Sequence, residues 1–134
     1  MRMWLWILLI VVVALAAYVR LEPVDADAQH QPVTATEDKT RDGRAIRIIP
    51  ASEGLLEKLD GLMMADAGTK RLAGSVEEGR ITYITRTKWW GFPDFTTIEQ
   101  DGDLIKMHAR LRFGRRDFGV NAARLERLKR AVQR

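Results

Sequence analysis

The chain has 134 residues, 46% of them hydrophobic and 30% charged, with a formal net charge of +4 and no cysteine. The absence of cysteine excludes a disulfide framework, a lipid-modified cysteine and thiolate metal sites. With an apolar amino-terminal run set aside, the remainder suffices for one small domain with one core.

Met3 to Val19 is an unbroken apolar run bracketed by Arg2 and Arg20. As a helix rising ~1.5 Å per residue it reaches about 25 Å, slightly short of a ~30 Å hydrocarbon core. Trp4, Trp6 and Tyr18 lie near its ends, where amphipathic rings favour the headgroup level, and the flanking arginines can snorkel outward. Residues 1–20 are therefore expected to form a retained transmembrane anchor that meets lipid through residues 3–19. The alternative is a cleaved signal peptide, with small-residue sites at Ala14-Leu15-Ala16 and Ala26-Asp27-Ala28. The amino terminus and Arg2, set against Arg20 and the following Glu22, Asp25 and Asp27, favour the amino terminus inside. The expected location is a bacterial inner membrane, single-pass, with the domain on the periplasmic side.

Residues 21–43 contain two prolines and many polar residues without an apolar period, and they read as an extended polar tether. His30 lies within it without an evident partner. Residues 44–134 read as a single domain. Ala45–Ile49 forms a short strand ended by Pro50. Ser52 offers an N-cap, and Leu55, Leu56, Leu59, Leu62 and Met63 then recur at helical spacing up to a stop near Gly68. Lys70–Val76 and Arg80–Thr87 flank a Glu-Glu-Gly turn, and Phe95–Glu99 and Leu104–Phe113 flank Asp101-Gly102, giving two hairpins. The last helix starts with Asn121 as N-cap, Val120 and Leu125 as a hydrophobic staple, and Leu125, Leu128 and Val132 as its buried stripe. The order predicts an α+β fold, an antiparallel sheet of about four strands with two helices packed on one face.

Charge is unevenly spread. Residues 105–134 carry 10 Lys/Arg against 2 Asp/Glu, a net of +8. Such a field favours anionic partners. Nucleic acid is not expected, because the basic stretch lacks regularly interleaved aromatics and an exported domain seldom meets it. Anionic lipid headgroups and other subunits of a membrane complex remain as partners. On the carboxy-terminal helix, Arg127, Arg130 and Arg134 fall on the side away from the apolar stripe, either as a solvated face or as a contact with an acidic partner or headgroups. Trp89, Trp90 and Phe92 form the other candidate contact, since adjacent tryptophans on an extended chain point to opposite faces.

The most informative segment is 107–121. Ile105, Met107, Ala109, Leu111 and Phe113 alternate with Lys106, His108, Arg110 and Arg112, and Gly114 and Gly119 then let the strand turn into the helix. Arg110, Arg112, Asp117, Asn121 and Arg124 make up the candidate polar cluster. Two readings stand: guanidiniums and free helix N–H groups facing one anion, or an Arg–Asp clamp in which Asp117 bridges Arg110 or Arg112. No residue is assigned as catalytic. Ser52 and Ser75 sit outside any nucleophile elbow. His108, between Lys106 and Arg110, is a poor metal ligand, and no phosphate loop or dinucleotide fingerprint appears, so neither metal nor cofactor is expected.

The stretch Ile81–Val132 resembles the family called domain of unknown function 1499. The resemblance rests on Gly91-Phe92-Pro93-Asp94, on Arg110-Leu111-Arg112-Phe113-Gly114, and on Asp117-Phe118-Gly119-Val120-Asn121 with Arg124. Ala109 and Leu111 stand where many relatives carry serine, and the Pro-Asn-Cys-type segment of many members is absent. The family has no established activity, so the resemblance implies a fold and no reaction. The expected role is a membrane-anchored, non-catalytic binding protein or an accessory or assembly subunit of an envelope membrane complex. The alternative is an enzyme acting on an anionic small molecule held by Arg110 and Arg112, with His108 or Asp117 as acid or base.

Overall fold

The structure, a computed structural model, describes residues 2–86 and 92–133. Helix α1 (Arg2–Leu21) has a mean hydropathy of 2.4 with none of its apolar window buried, and is long and apolar enough to cross a membrane. The short α2 (Ala26–Gln29) follows. The domain then runs β1 (Lys39–Arg41), β2 (Arg44–Pro50), α3 (Leu55–Met64), β3 (Thr69–Ser75), β4 (Arg80–Arg86), β5 (Pro93–Asp101), β6 (Leu104–Leu111) and α4 (Val120–Val132).

The strands make one antiparallel sheet in the order β1-β2-β6-β5-β4-β3. The α+β expectation holds, with six strands where about four were expected. Strands β3 to β6 form a meander through two tight hairpins, and α3 carries the chain from β2 on one side of the sheet to β3 on the other. Strand β1 escapes a pattern search because Lys39, Thr40 and Arg41 are all exposed and none is apolar.

Side chains alternate across a sheet, so each strand serves two faces. On one face Ala45, Ile49, Ile81, Tyr83, Ile98, Ile105, Met107 and Ala109 meet Leu55, Leu56, Leu59 and Met63 of α3 and Leu125 and Leu128 of α4. Each aliphatic side chain fully buried there contributes about 1.5–3 kcal/mol. The one buried carboxylate of α3, Asp60, accepts hydrogen bonds from Arg71 at 2.9 and 2.6 Å and from the Tyr83 hydroxyl at 2.8 Å. The Arg71 guanidinium holds its carboxyl below the usual carboxylate range despite burial.

The other face is mostly polar, with Ile84 and Phe95 as apolar members in register with Arg110. Arg80 and Thr82 of β4, Thr97 and Glu99 of β5, and Lys106, His108 and Arg110 of β6 share it in register: Arg80 lies opposite Glu99 and Glu99 opposite Lys106, while Thr82 lies opposite Thr97 and Thr97 opposite His108. Residues 22–38 lie across this face. The segment expected as an extended tether is therefore a strap on the sheet. Its prolines and missing apolar period do describe a chain with little regular structure beyond the single turn of α2, but the sheet supplies further hydrogen-bond partners.

Two cap expectations are corrected. Helix α3 begins after Gly54, at φ 75°, with no side-chain cap, and Ser52 contributes only its carbonyl, which accepts from Leu55 N–H at 3.1 Å. Helix α4 begins after Gly119, at φ 80°, so its cap lies two residues before the expected Asn121. Val120 is exposed, so no staple to the buried Leu125 forms.

Candidate anion-binding site

Several contacts along its length hold the strap. The His30 ring bridges Thr82 Oγ1 at 2.9 Å and Glu78 Oε1 at 2.8 Å. It presses onto Gly74, where an added Cβ would lie 2.6 Å from the imidazole and 2.0 Å from Arg80 O. Val33, buried, donates its N–H to Glu99 Oε2 at 3.1 Å and accepts from Lys106 Nζ at 3.4 Å, while Glu99 also binds Arg80 at 2.7 Å. Near α1, Arg112 donates to Pro23 O at 3.2 Å and pairs with Glu22 at 3.4 Å.

Between strap and sheet lies a cavity of about 760 Å³, whose cationic lining is Lys39, Arg41, Arg44 and Arg110, with His108 beside them. Three of these arginines stand abreast. Arg41 of β1 is the register partner of Arg44 of β2, which is the partner of Arg110 of β6. Like charges directly opposite in a ladder repel, yet among the described residues no carboxylate pairs with any of the three. Nor does any Asp or Glu line this cavity.

Arg110 is the fixed member of the row. It donates to Gln29 O at 2.8 Å and to Thr97 Oγ1 at 3.2 Å, and its guanidinium lies 5.8 Å from the Phe95 ring centroid. Burial pulls its pKa down to about 10. Burial, reinforced by the Arg110 and Arg44 charges, pushes the His108 imidazole down to about 4. His108 is therefore neutral at pH 7, and its buried Nε2 has no hydrogen-bond partner among the described residues. A second cavity of about 510 Å³ shares Arg44, Arg110 and Gln29 with the first and adds Arg112 and Arg115. Arg112 Nη1 there is likewise buried, with no partner among the described residues.

The structure divides the polar cluster expected from the sequence. Arg110 and Arg112 face the strap, whereas Asp117, Asn121 and Arg124 belong to the amino-terminal end of α4 on the opposite face. Asp117 bridges neither arginine: it accepts from Gly119 N–H at 3.0 Å and Asn121 N–H at 3.1 Å and so caps the helix itself. Burial opposes its ionisation, but these backbone hydrogen bonds leave its pKa lowered. Asn121, fully buried inside the helix, accepts from Arg124 at 2.7 Å, and Arg124 lies 3.7 Å from Asp94. The separation follows from the sheet, because a strand residue and the helix beyond its turn can lie on opposite sides of one layer. Arg127 and Arg130 are exposed on α4, and Phe92 is partly exposed; Trp89, Trp90 and Arg134 lie outside the described residues. Among the described residues, no group of three or more His, Asp or Glu could hold a metal ion.

Sequence reading missed Arg41, Arg44, Gln29, His30 and Glu99. One signal was available: the positions of β4, β5 and β6 that face away from the core include Arg80, Thr82, Thr97, Glu99, Lys106 and His108, and a sheet whose second face carries Glu99 beside Thr97 and Thr82 needs a cover.

A family model described as protein of unknown function (DUF1499) matches residues 14–132, most of the chain, and the chain belongs to that family. The match takes in the strap as well as the sheet and both domain helices. No curated protein matches the chain.

Proposed function

We propose that this member of the family is a single-pass protein of the bacterial inner membrane whose periplasmic domain binds an anionic ligand without catalysis, in the cleft between strap and sheet. It would serve an envelope membrane complex as an accessory or assembly subunit. The observation that carries the binding reading is the Arg41–Arg44–Arg110 row, three cations abreast at a cavity where, among the described residues, no carboxylate neutralises them. A planar guanidinium matches carboxylate, sulfate or phosphate oxygens in bidentate fashion, and three converging on one cavity favour a polyvalent anion. A catalytic reading of the same cavity is favoured by one observation, the neutral His108 beside Arg110, which has the protonation state of a base at pH 7.

Sulfate is a suitable probe because it keeps its charge from pH 4 to 8. Calorimetric titration of the full chain in detergent is expected to give saturable binding, weakened at least ~10-fold by Arg44→Gln, the loss of one charge-assisted contact of about 1.5–3 kcal/mol. The same variant relieves like-charge repulsion and should melt no lower than the parent, with a gain of up to about 1 kcal/mol. Unchanged sulfate affinity in Arg44→Gln, or an absence of saturable binding in the parent, would overturn the proposal.

A further inference from the structure

The end of the sheet nearest α1 carries a second, differently built surface. Arg86 of β4 donates to Val19 O at 3.4 Å, and Arg112, just past β6, holds Glu22 and Pro23. The last turn of α1 therefore leaves from the end of the sheet where β4 and β6 finish and β5 begins, a level fixed by the register pairs Arg86–Pro93 and Asp94–Leu111. The turn from residue 112 to α4 emerges at this same end.

Among its charged residues that turn exposes an apolar side chain where water would be expected to favour a polar one. Phe118 is 94% exposed, far above the 36–48% of the other exposed large hydrophobics outside α1, and two of those, Phe92 and Val120, lie at the same end. Phe118 is also the single non-glycine residue with positive φ among the described residues, at 53°. A bulky residue in the left-handed region is uncommon and carries strain, and among the described residues nothing buries the ring to offset it. Arg115 and Arg116 flank it, both exposed; the Arg116 partner, Asp42, lies 3.8 Å away and both side chains are more than 70% exposed, so that pair adds little.

Aromatic rings beside arginines are the composition of a bilayer interface, where the ring enters the acyl boundary and the cation meets lipid phosphate. We propose that the turn Gly114–Val120 seats on the headgroup layer of the membrane that α1 enters, with Phe118 inserted and Arg115 and Arg116 against anionic phospholipid. The surface is continuous with the anchor, and its charge is opposite to that of the lipid. Seating would fix the domain's tilt, so that the Arg112 side of the second cavity opens close to the membrane plane. This inference does not depend on what the strap cleft binds.

The absence of native cysteine allows single spin labels in the full-length chain. Phe118→Cys and Arg116→Cys report on the turn, and Asp103→Cys, in the β5–β6 hairpin at the opposite end of the sheet, is the aqueous reference. In vesicles containing phosphatidylglycerol, the labels at 116 and 118 are expected to collide several-fold more with oxygen relative to a water-soluble nickel chelate than the label at 103. Arg116→Cys keeps Phe118 in place, so it reports even if labelling position 118 abolishes insertion. In vesicles of phosphatidylcholine alone, or with Arg115→Gln, the contrast at 118 should shrink. Labels at both 116 and 118 as open to the nickel chelate as the label at 103, in anionic vesicles, would overturn the proposal.

Discussion

Arg110 and His108 show how one strand sets the chemistry of a site through neighbours that sequence spacing cannot reveal. Their alternation on β6 is legible, but the cations that matter to His108 come from β2 as well as β6, and that pairing is long-range. The consequence is a pH dependence with a definite sign. The His108 pKa is about 4 in the folded chain against an ordinary 6.5, so between those values the unfolded chain binds the extra proton and stability falls as the pH drops. Sulfate beside the ring favours the imidazolium, so sulfate affinity should rise as the pH falls from 7 towards 5 while the anion itself does not titrate. His108→Gln is expected to flatten both dependences, read by thermal melts and by calorimetry. A His108→Gln protein whose sulfate affinity still climbs on acidification would remove this imidazole from the site. The split fate of Arg110 and Asp117, seven positions apart, has the same origin: strand residues alternate sides, and the glycine-bounded turn then delivers Asp117 to the helix face.

Helices and the meander were legible because their signals are local. Leu55, Leu56, Leu59 and Met63 repeat at helical spacing, and Asp101-Gly102 marks a hairpin that forms where expected. The strap was not, since its order comes from partners more than 40 positions away, such as Thr82 for His30 and Glu99 for Val33, and β1, which pairs locally with β2, was not because none of its residues is apolar. Those contacts predict how the strap should loosen. Glu99 is buried and accepts from Val33 N–H and from Arg80, so Glu99→Gln weakens a charge-assisted bond and should cost about 1–3 kcal/mol locally. Hydrogen exchange is expected to accelerate at the residue 33 amide and its strap neighbours, while the Tyr83 and Ile98 amides in the central strands keep their protection. Equal protection of the strap in the variant and its parent would mean that Glu99 does not hold it. Gly74 supplies the complementary constraint, because at φ 84° and under His30 it has no room for a side chain.

At the scale of the molecule, one sheet divides two kinds of work. Its apolar face and two helices carry the stability, and its polar face, closed by the strap, carries the cationic cleft. The apolar face repeats the fold predicted from hydrophobic spacing. The cleft exists only once β1, β2 and β6 are assembled, so its three-arginine row has no counterpart in the linear sequence. Charge alone pointed towards the carboxy-terminal thirty residues, and Arg110 is the one member of the row that lies among them. The location of anion binding is therefore the claim that separates this account from a simple reading of the basic carboxy-terminal helix. Hydrogen exchange of the full chain with and without saturating sulfate tests it most directly. Slower exchange confined to strap residues 28–36 and to β1, with α4 unchanged around Arg127 and Arg130, is the predicted result. Protection that appears on α4 while the strap exchanges as before would contradict it.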